Sequence, residues 1–226
     1  MDRKLIAWAR AVKERDRGGR LGVSGCGGGV GGGLKACAAG GARRRSAGPP
    51  RLWFFTDSYR GPDPIPVVAR LPVGLAGVVV RHDMSPDRAI IAARLARICR
   101  SRRLAIVVAA DWRMADRLGA GLHLRGGYRC RASLRKGRVV TSSAHSVPDL
   151  RRAAAAGAGV VFLSPAFATA SHPGSPCLGP IRWGLFVRRA RMRGQVRVFA
   201  LGGVTGGNVR RLPAFCGGVA AIGALA

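Results

Sequence analysis

From residue 51 onward the chain alternates short apolar runs with stretches that are apolar on one side only. The runs cover 52–56, 77–80, 104–109, 121–124, 139–143, 160–163, 196–201 and 219–222. Each is rich in Val, Ile, Leu or Phe and too short for a helix, so each predicts a strand buried on both faces. Between most of them lies helix-like sequence. Over 87–103, Ile90, Ile91, Leu95 and Ile98 recur at helical spacing behind Ser85-Pro86-Asp87, which reads as an N-cap. A second helix over 147–156 starts with Pro148 in the first turn, and a third over 181–193 is opened by Gly179-Pro180. Eight buried strands alternating with helices predict a parallel sheet closed as a (βα)8 TIM barrel, an α/β fold. The eighth strand runs almost into Ala226, leaving no room for a final helix. Near the N-terminus, Leu5, Ile6, Trp8, Ala9 and Val12 fall on one side of a helix over 1–17, which is placed to cover that gap.

The sequence between these parts differs. Half of the residues from Gly18 to Gly41 are Gly, followed by Arg43-Arg44-Arg45 and Pro49-Pro50. Such sequence loses much backbone entropy on ordering and has little to bury, so 18–50 is expected to be a flexible segment. Its glycines lack a preceding strand and a following helix, which argues against a dinucleotide-binding turn. The expected organisation is therefore helix 1–17, linker 18–50 and barrel 51–226.

Charge changes this picture less than its size suggests. The net charge is +29, and only Lys4, Lys13, Lys35 and Lys136 among the 39 basic residues are not Arg. The arginines are spread through nearly every segment and aromatics make up 6%. A nucleic-acid binder gathers its charge into a patch with aromatics interleaved, so nucleic acid is not the expected partner. No apolar stretch reaches 18 residues and no secretory core is present, so no membrane partner is expected. The six cysteines include no CxxC pair. They read as reduced thiols of a cytoplasmic protein.

Several strand ends carry a recognisable series. These are Phe54-Phe55-Thr56-Asp57, Val79-Val80-Arg81, Gly121-Leu122-His123-Leu124, Ser143-Ala144-His145-Ser146, the stretch 163–169 (LSPAFAT), and Ala200-Leu201-Gly202-Gly203-Val204 with Asn208 downstream. In order and spacing the series resembles the thiamine phosphate synthase and thiazole tautomerase family. The resemblance implies an enzyme that couples a pyrimidine diphosphate to a thiazole phosphate with release of diphosphate. It also implies Mg²⁺ as cofactor, with Asp111 as its ligand, and catalytic roles for His145, Ser143 and Arg81. Thr169, Ser171, Gly202, Gly203, Gly223 and Ala224 are the implied substrate and phosphate contacts. Glycines ending strands seven and eight suit this role on physical grounds, because backbone N–H groups there can approach an anion closely.

The chain departs from the family pattern on the diphosphate side. Val79 replaces a Gln, Asp83 a Lys and Ala110 an Asn, and Arg125-Gly126-Gly127-Tyr128 replaces a Gly-Gln-x-Asp run. His172 stands where the family has a further Lys. Asp83 is an alternative carboxylate for a metal. Thiazole tautomerisation by His145 needs no metal and stays open, as does a barrel that binds a phosphate ligand without chemistry. His123 is expected to be structural. The sequence also leaves open whether the chain forms a homo-oligomer.

Overall fold

The computed structural model describes residues 1–18, 48–58, 63–83, 85–126, 137–169, 174, 176–192 and 196–225. Eight strands form one closed parallel barrel in sequence order: β1 (Leu52–Phe55), β2 (Ala76–Val80), β3 (Ala105–Ala109), β4 (Gly121–Leu124), β5 (Val140–Ala144), β6 (Val160–Leu163), β7 (Arg197–Leu201) and β8 (Val219–Ala221), with β8 closing onto β1. All eight expected strands are present, with no end shifted by more than one residue. Six helices accompany them among the described residues: α1 (Arg3–Gly18), α2 (Pro64–Arg70), α3 (Arg88–Ser101), α4 (Trp112–Leu118), α5 (Val147–Ala155) and α6 (Gly179–Ala190). None is long and apolar enough to cross a membrane. The Gly-rich linker expected over 18–50 lies almost wholly outside the described residues.

Alternation along the strands sorts side chains into two cores. Leu52, Phe54, Val78, Val80, Val161 and Leu163 face outward and pack under the helices. Trp53, Phe55, Val79, Val107, Phe162 and Phe199 face inward and fill the barrel. Phe162 is central, with its ring centroid 4.9 Å from Phe55, 5.6 Å from Trp53 and 5.8 Å from Phe199, all near-perpendicular. This edge-to-face arrangement is the one the ring quadrupole favours. Gly77 is required beside it, because a Cβ there would lie 2.6 Å from the Trp53 ring.

Local chemistry explains the helix starts. Ser146 caps α5 by accepting the Asp149 N–H, with Pro148 in the first turn as expected. Asp111 caps α4 through the Met114 N–H at 2.8 Å. The expected side-chain cap at Asp87 is not formed; the Ser85 carbonyl accepts the Arg88 N–H instead. Past β7 the chain makes only a 3-10 turn, Val209–Arg211, and past β8 another, Gly223–Leu225. Between β7 and β8, and in the described residues after β8, no α-helix forms. α1 covers the seam, as its apolar stripe suggested: Leu5 and Ala9 are fully buried in the outer core. At its far end Asp16 pairs with Arg51 and with Arg197, at the starts of β1 and β7.

The barrel interior also holds a polar cluster centred on His123. His123 is buried, its Nδ1 2.8 Å from Thr141 Oγ1 and its Nε2 2.8 Å from Ser143 Oγ. Burial, reinforced by the charge of Arg81, pushes its pKa down from 6.5 to about 3. The imidazole is therefore neutral in the folded protein, and one ring nitrogen donates while the other accepts. Between pH 6.5 and 3 the unfolded chain binds the proton that the folded chain refuses, so this residue's contribution is full above pH 6.5 and is lost as pH falls. Each pH unit in that window is worth up to about 1.4 kcal/mol. Denaturation midpoints should thus fall more steeply with acid for the wild type than for His123→Gln. Parallel pH profiles for the two would refute the buried neutral imidazole.

Candidate active site

The residues singled out in the sequence gather at one end of the barrel, where the strands finish. Arg81 follows β2, and its backbone N–H donates to Thr56 Oγ1 just past β1 at 2.9 Å. Thr56 Oγ1 in turn contacts Nδ1 of the buried His82 at 2.9 Å. The Arg81 guanidinium is exposed and stands 5.9 Å from the Phe55 ring centroid, at the top of the aromatic filling. Its charge lies over an electron-rich ring face, a favourable placement for a cation.

His145 lies just past β5. Its Nδ1 is 3.1 Å from the Ser164 carbonyl oxygen and 3.2 Å from Ser164 Oγ. A carbonyl oxygen only accepts, so in the neutral ring Nδ1 carries the hydrogen and Nε2 keeps its lone pair. The His145 N–H donates to Asp149 Oδ2 at 2.9 Å, which ties the residue to the first turn of α5. Partial burial pushes the Asp149 carboxyl up. The bonds from the His145 N–H and Ser146, with the charge of Arg152, outweigh it and hold that carboxyl below the usual range. Ser143 behaves differently from His145: its hydroxyl is bonded to His123, so it belongs to the barrel's polar interior as well as to the mouth.

The loops after β6 and β7 are zipped together. Ala166 and Phe167 N–H groups donate to the Leu201 and Gly202 carbonyls at 2.8 and 3.0 Å. Gly202 and Gly203 both adopt positive φ, +90° and +64°. A Cβ on Gly203 would lie 2.2 Å from the Ala168 carbonyl oxygen, so any side chain there strikes the neighbouring loop. Asn208 braces the loop by donating to the Gly203 carbonyl and accepting the Thr205 N–H. Thr169 lies over Gly202, half-buried. Gly223 and Ala224 open the turn after the adjacent β8, and space around Gly223 is open. Among the described residues the N–H groups of Gly203 and Gly223 have no hydrogen-bond partner. They stand at neighbouring strand ends, as an anion cup requires. Ser171 and His172 lie outside the described residues.

The opposite side of the mouth holds a network that sequence reasoning missed. Asp83, past β2, pairs with Arg88 at 3.1 Å and with Arg125 at the end of β4. Arg88 also donates to the Ala109 carbonyl at the end of β3 at 2.5 Å. Asp83 and Arg125 are far apart in sequence and nothing in the local pattern signals their contact. With this pairing Asp83 is engaged by cations, and the one Asp111 oxygen outside the cap would hold a Mg²⁺ ion only together with substrate phosphates. Both Asp83 oxygens face guanidinium groups, and Asp111 commits Oδ1 to its helix cap. No group of three or more His, Cys, Asp or Glu suited to a metal occurs among the described residues.

Comparison with known proteins agrees with this geometry. A family model described as thiamine monophosphate synthase matches residues 58–225. The structure is similar to a thiamine phosphate pyrophosphorylase from Pyrococcus furiosus, with 20% identity, a TM-score of 0.58, and 76% of this chain and 85% of that one covered. It is also similar to a nitroalkane oxidase from Streptomyces ansochromogenes (14% identity, TM-score 0.59, covering 78% and 66%). A KDPG aldolase from Legionella pneumophila gives 14% identity and a TM-score of 0.52, covering 76% and 82%. Identities this low speak for the shared barrel alone. A search of curated protein sequences returns no match. With the family model spanning most of the chain and the strand-end residues gathered at one mouth, the chain belongs to the thiamine monophosphate synthase family.

Proposed function

We propose that this protein couples a pyrimidine diphosphate to a thiazole phosphate, with arginines supplying the positive charge at the leaving group. The observation that carries the reading is the set of arginines across the mouth from the glycine cup: Arg81 past β2, Arg88 at the start of α3 and Arg125 at the end of β4. In this scheme the thiazole phosphate rests on the N–H groups of Gly203 and Gly223, beside Thr169 and Ala224. The C–O bond to the diphosphate breaks, and its electron pair leaves with that group. The thiazole nitrogen lone pair then forms the new C–N bond. Charge develops on the departing oxygens, so preorganised cations beside them lower the barrier. Arginine forks match phosphate oxygens in pairs, which a single lysine cannot do.

A second reading draws on one specific observation. His145 has Nδ1–H fixed on Ser164 and Nε2 available as a base, the arrangement that proton transfer on a thiazole carboxylate phosphate needs. That tautomerisation would use the same phosphate cup and no leaving group.

Kinetics separate the two. Under the coupling reading, thiamine phosphate forms from both substrates and EDTA leaves most of the rate. Arg81→Ala should lower the rate by roughly a hundredfold or more, the usual scale for one lost electrostatic contact at a transition state. Asp111→Asn should matter little, since Asn also caps a helix. Abolition by EDTA or by Asp111→Asn would restore the metal. No coupling, together with proton exchange that stops in His145→Ala, would establish the tautomerase instead.

The cup has its own test. Gly223→Leu places a side chain in open space and at ordinary φ, so folding should be little affected. Affinity for the thiazole phosphate should fall at least tenfold, about 1.4 kcal/mol or more. Gly203→Leu would also weaken binding, but through the clash with Ala168, and should lower Tm as well. Unchanged calorimetric affinity in Gly223→Leu would remove the cup from the β8 end.

A further inference from the structure

We infer that Asp2 is a positioning residue that holds the two halves of the anion cup in register. The inference rests on the phosphate reading of that cup. Its Oδ2 accepts the Gly206 N–H at 2.6 Å, in the loop that begins with Gly202-Gly203. Its own backbone N–H donates to the Ala224 carbonyl at 2.9 Å, in the turn that begins with Gly223. One residue therefore ties the loop after β7 to the turn after β8. The fit is close, since a Cβ on Gly206 would lie 2.4 Å from Asp2 Oδ1.

The remaining Asp2 oxygen caps α1. Oδ1 accepts the N–H groups of Lys4 and Leu5 at 3.0 and 3.1 Å. Both oxygens are thus committed, one to the helix and one to the loop. Partial burial pushes the carboxyl up, but the Gly206, Leu5 and Lys4 N–H groups outweigh it and keep its pKa low. The barrel has a particular need for this tie. Residues 202–218 contain only the 3-10 turn Val209–Arg211, so no helix behind the β7 loop fixes its position. The near end of α1, anchored in the outer core by Leu5 and Ala9, carries the tie instead, and Asp16 fixes only the far end.

The two functions of Asp2 can be separated by substitution. Asp2→Asn keeps an oxygen for the helix cap and turns an NH₂ toward the Gly206 N–H, where two donors meet. Asp16→Ala loosens the same helix from its far end without touching the cup. Asp2→Asn should weaken thiazole phosphate binding roughly tenfold at nearly unchanged Tm. Asp16→Ala should lower Tm and leave affinity in place. Amide hydrogen exchange gives a reading that needs no ligand: residues 202–207 and 223–225 should exchange faster in Asp2→Asn than in the wild type or Asp16→Ala. If the wild type fails to bind the thiazole phosphate, the functional reading falls while exchange still decides the role of Asp2. Unchanged exchange in Asp2→Asn, or equal loss of affinity in the two variants, would overturn the inference.

Discussion

The packing of Phe162 against Trp53, Phe55 and Phe199 is the constraint on which the rest of this barrel depends. Four large rings from β1, β6 and β7 meet inside a ring of eight short strands, so the barrel is a filled core with no channel. The filling has two consequences. It fixes the radius at which the strands close, because interiors at crystal-like density tolerate few changes of volume. It also forms a floor, so that chemistry is confined to the strand ends above it. Arg81 stands on that floor over Phe55, and Ser143 is tied into it through His123. A neutral imidazole in the interior lets two hydroxyls be satisfied without burying a charge.

Above the floor the mouth is divided electrostatically. One side offers backbone N–H groups from glycines with few side chains near them, suited to a phosphate. The other holds Arg88 and Arg125 paired with Asp83, with Arg81 over the Phe55 ring. An ion pair across strand ends this close to solvent adds little stability of its own. Its effect is on what the site can hold: it removes Asp83 from metal binding and fixes guanidinium groups in place.

Much of the architecture was legible in the sequence because the strands are buried on both faces. Runs such as 121–124 and 160–163 are almost wholly apolar, and they match β4 and β6 residue for residue. Short helices were harder to see. α2 spans only seven residues and carries prolines at 64 and 66, so periodicity has too few turns to register. The mouth was legible wherever a strand end supplies the residue, as with Arg81, Ser143, His145 and Gly203. It was not legible where a contact joins distant segments. Asp83 with Arg125 and Asp2 with Gly206 are both of this kind, and no local pattern announces either. Gly203 was picked out for its N–H, but only its surroundings reveal the Ala168 carbonyl that also leaves no room for a side chain.

The account stands on the claim that a phosphorylated thiazole occupies the mouth at the β7 and β8 ends. A crystal structure of the complex, grown with EDTA present, tests this most directly. The account predicts phosphate oxygens within hydrogen-bond distance of the Gly203 and Gly223 N–H groups, with the thiazole ring turned toward Arg81 and His145. Density for the ligand elsewhere on the protein, or a phosphate held by the Asp83, Arg88 and Arg125 cluster instead, would contradict it.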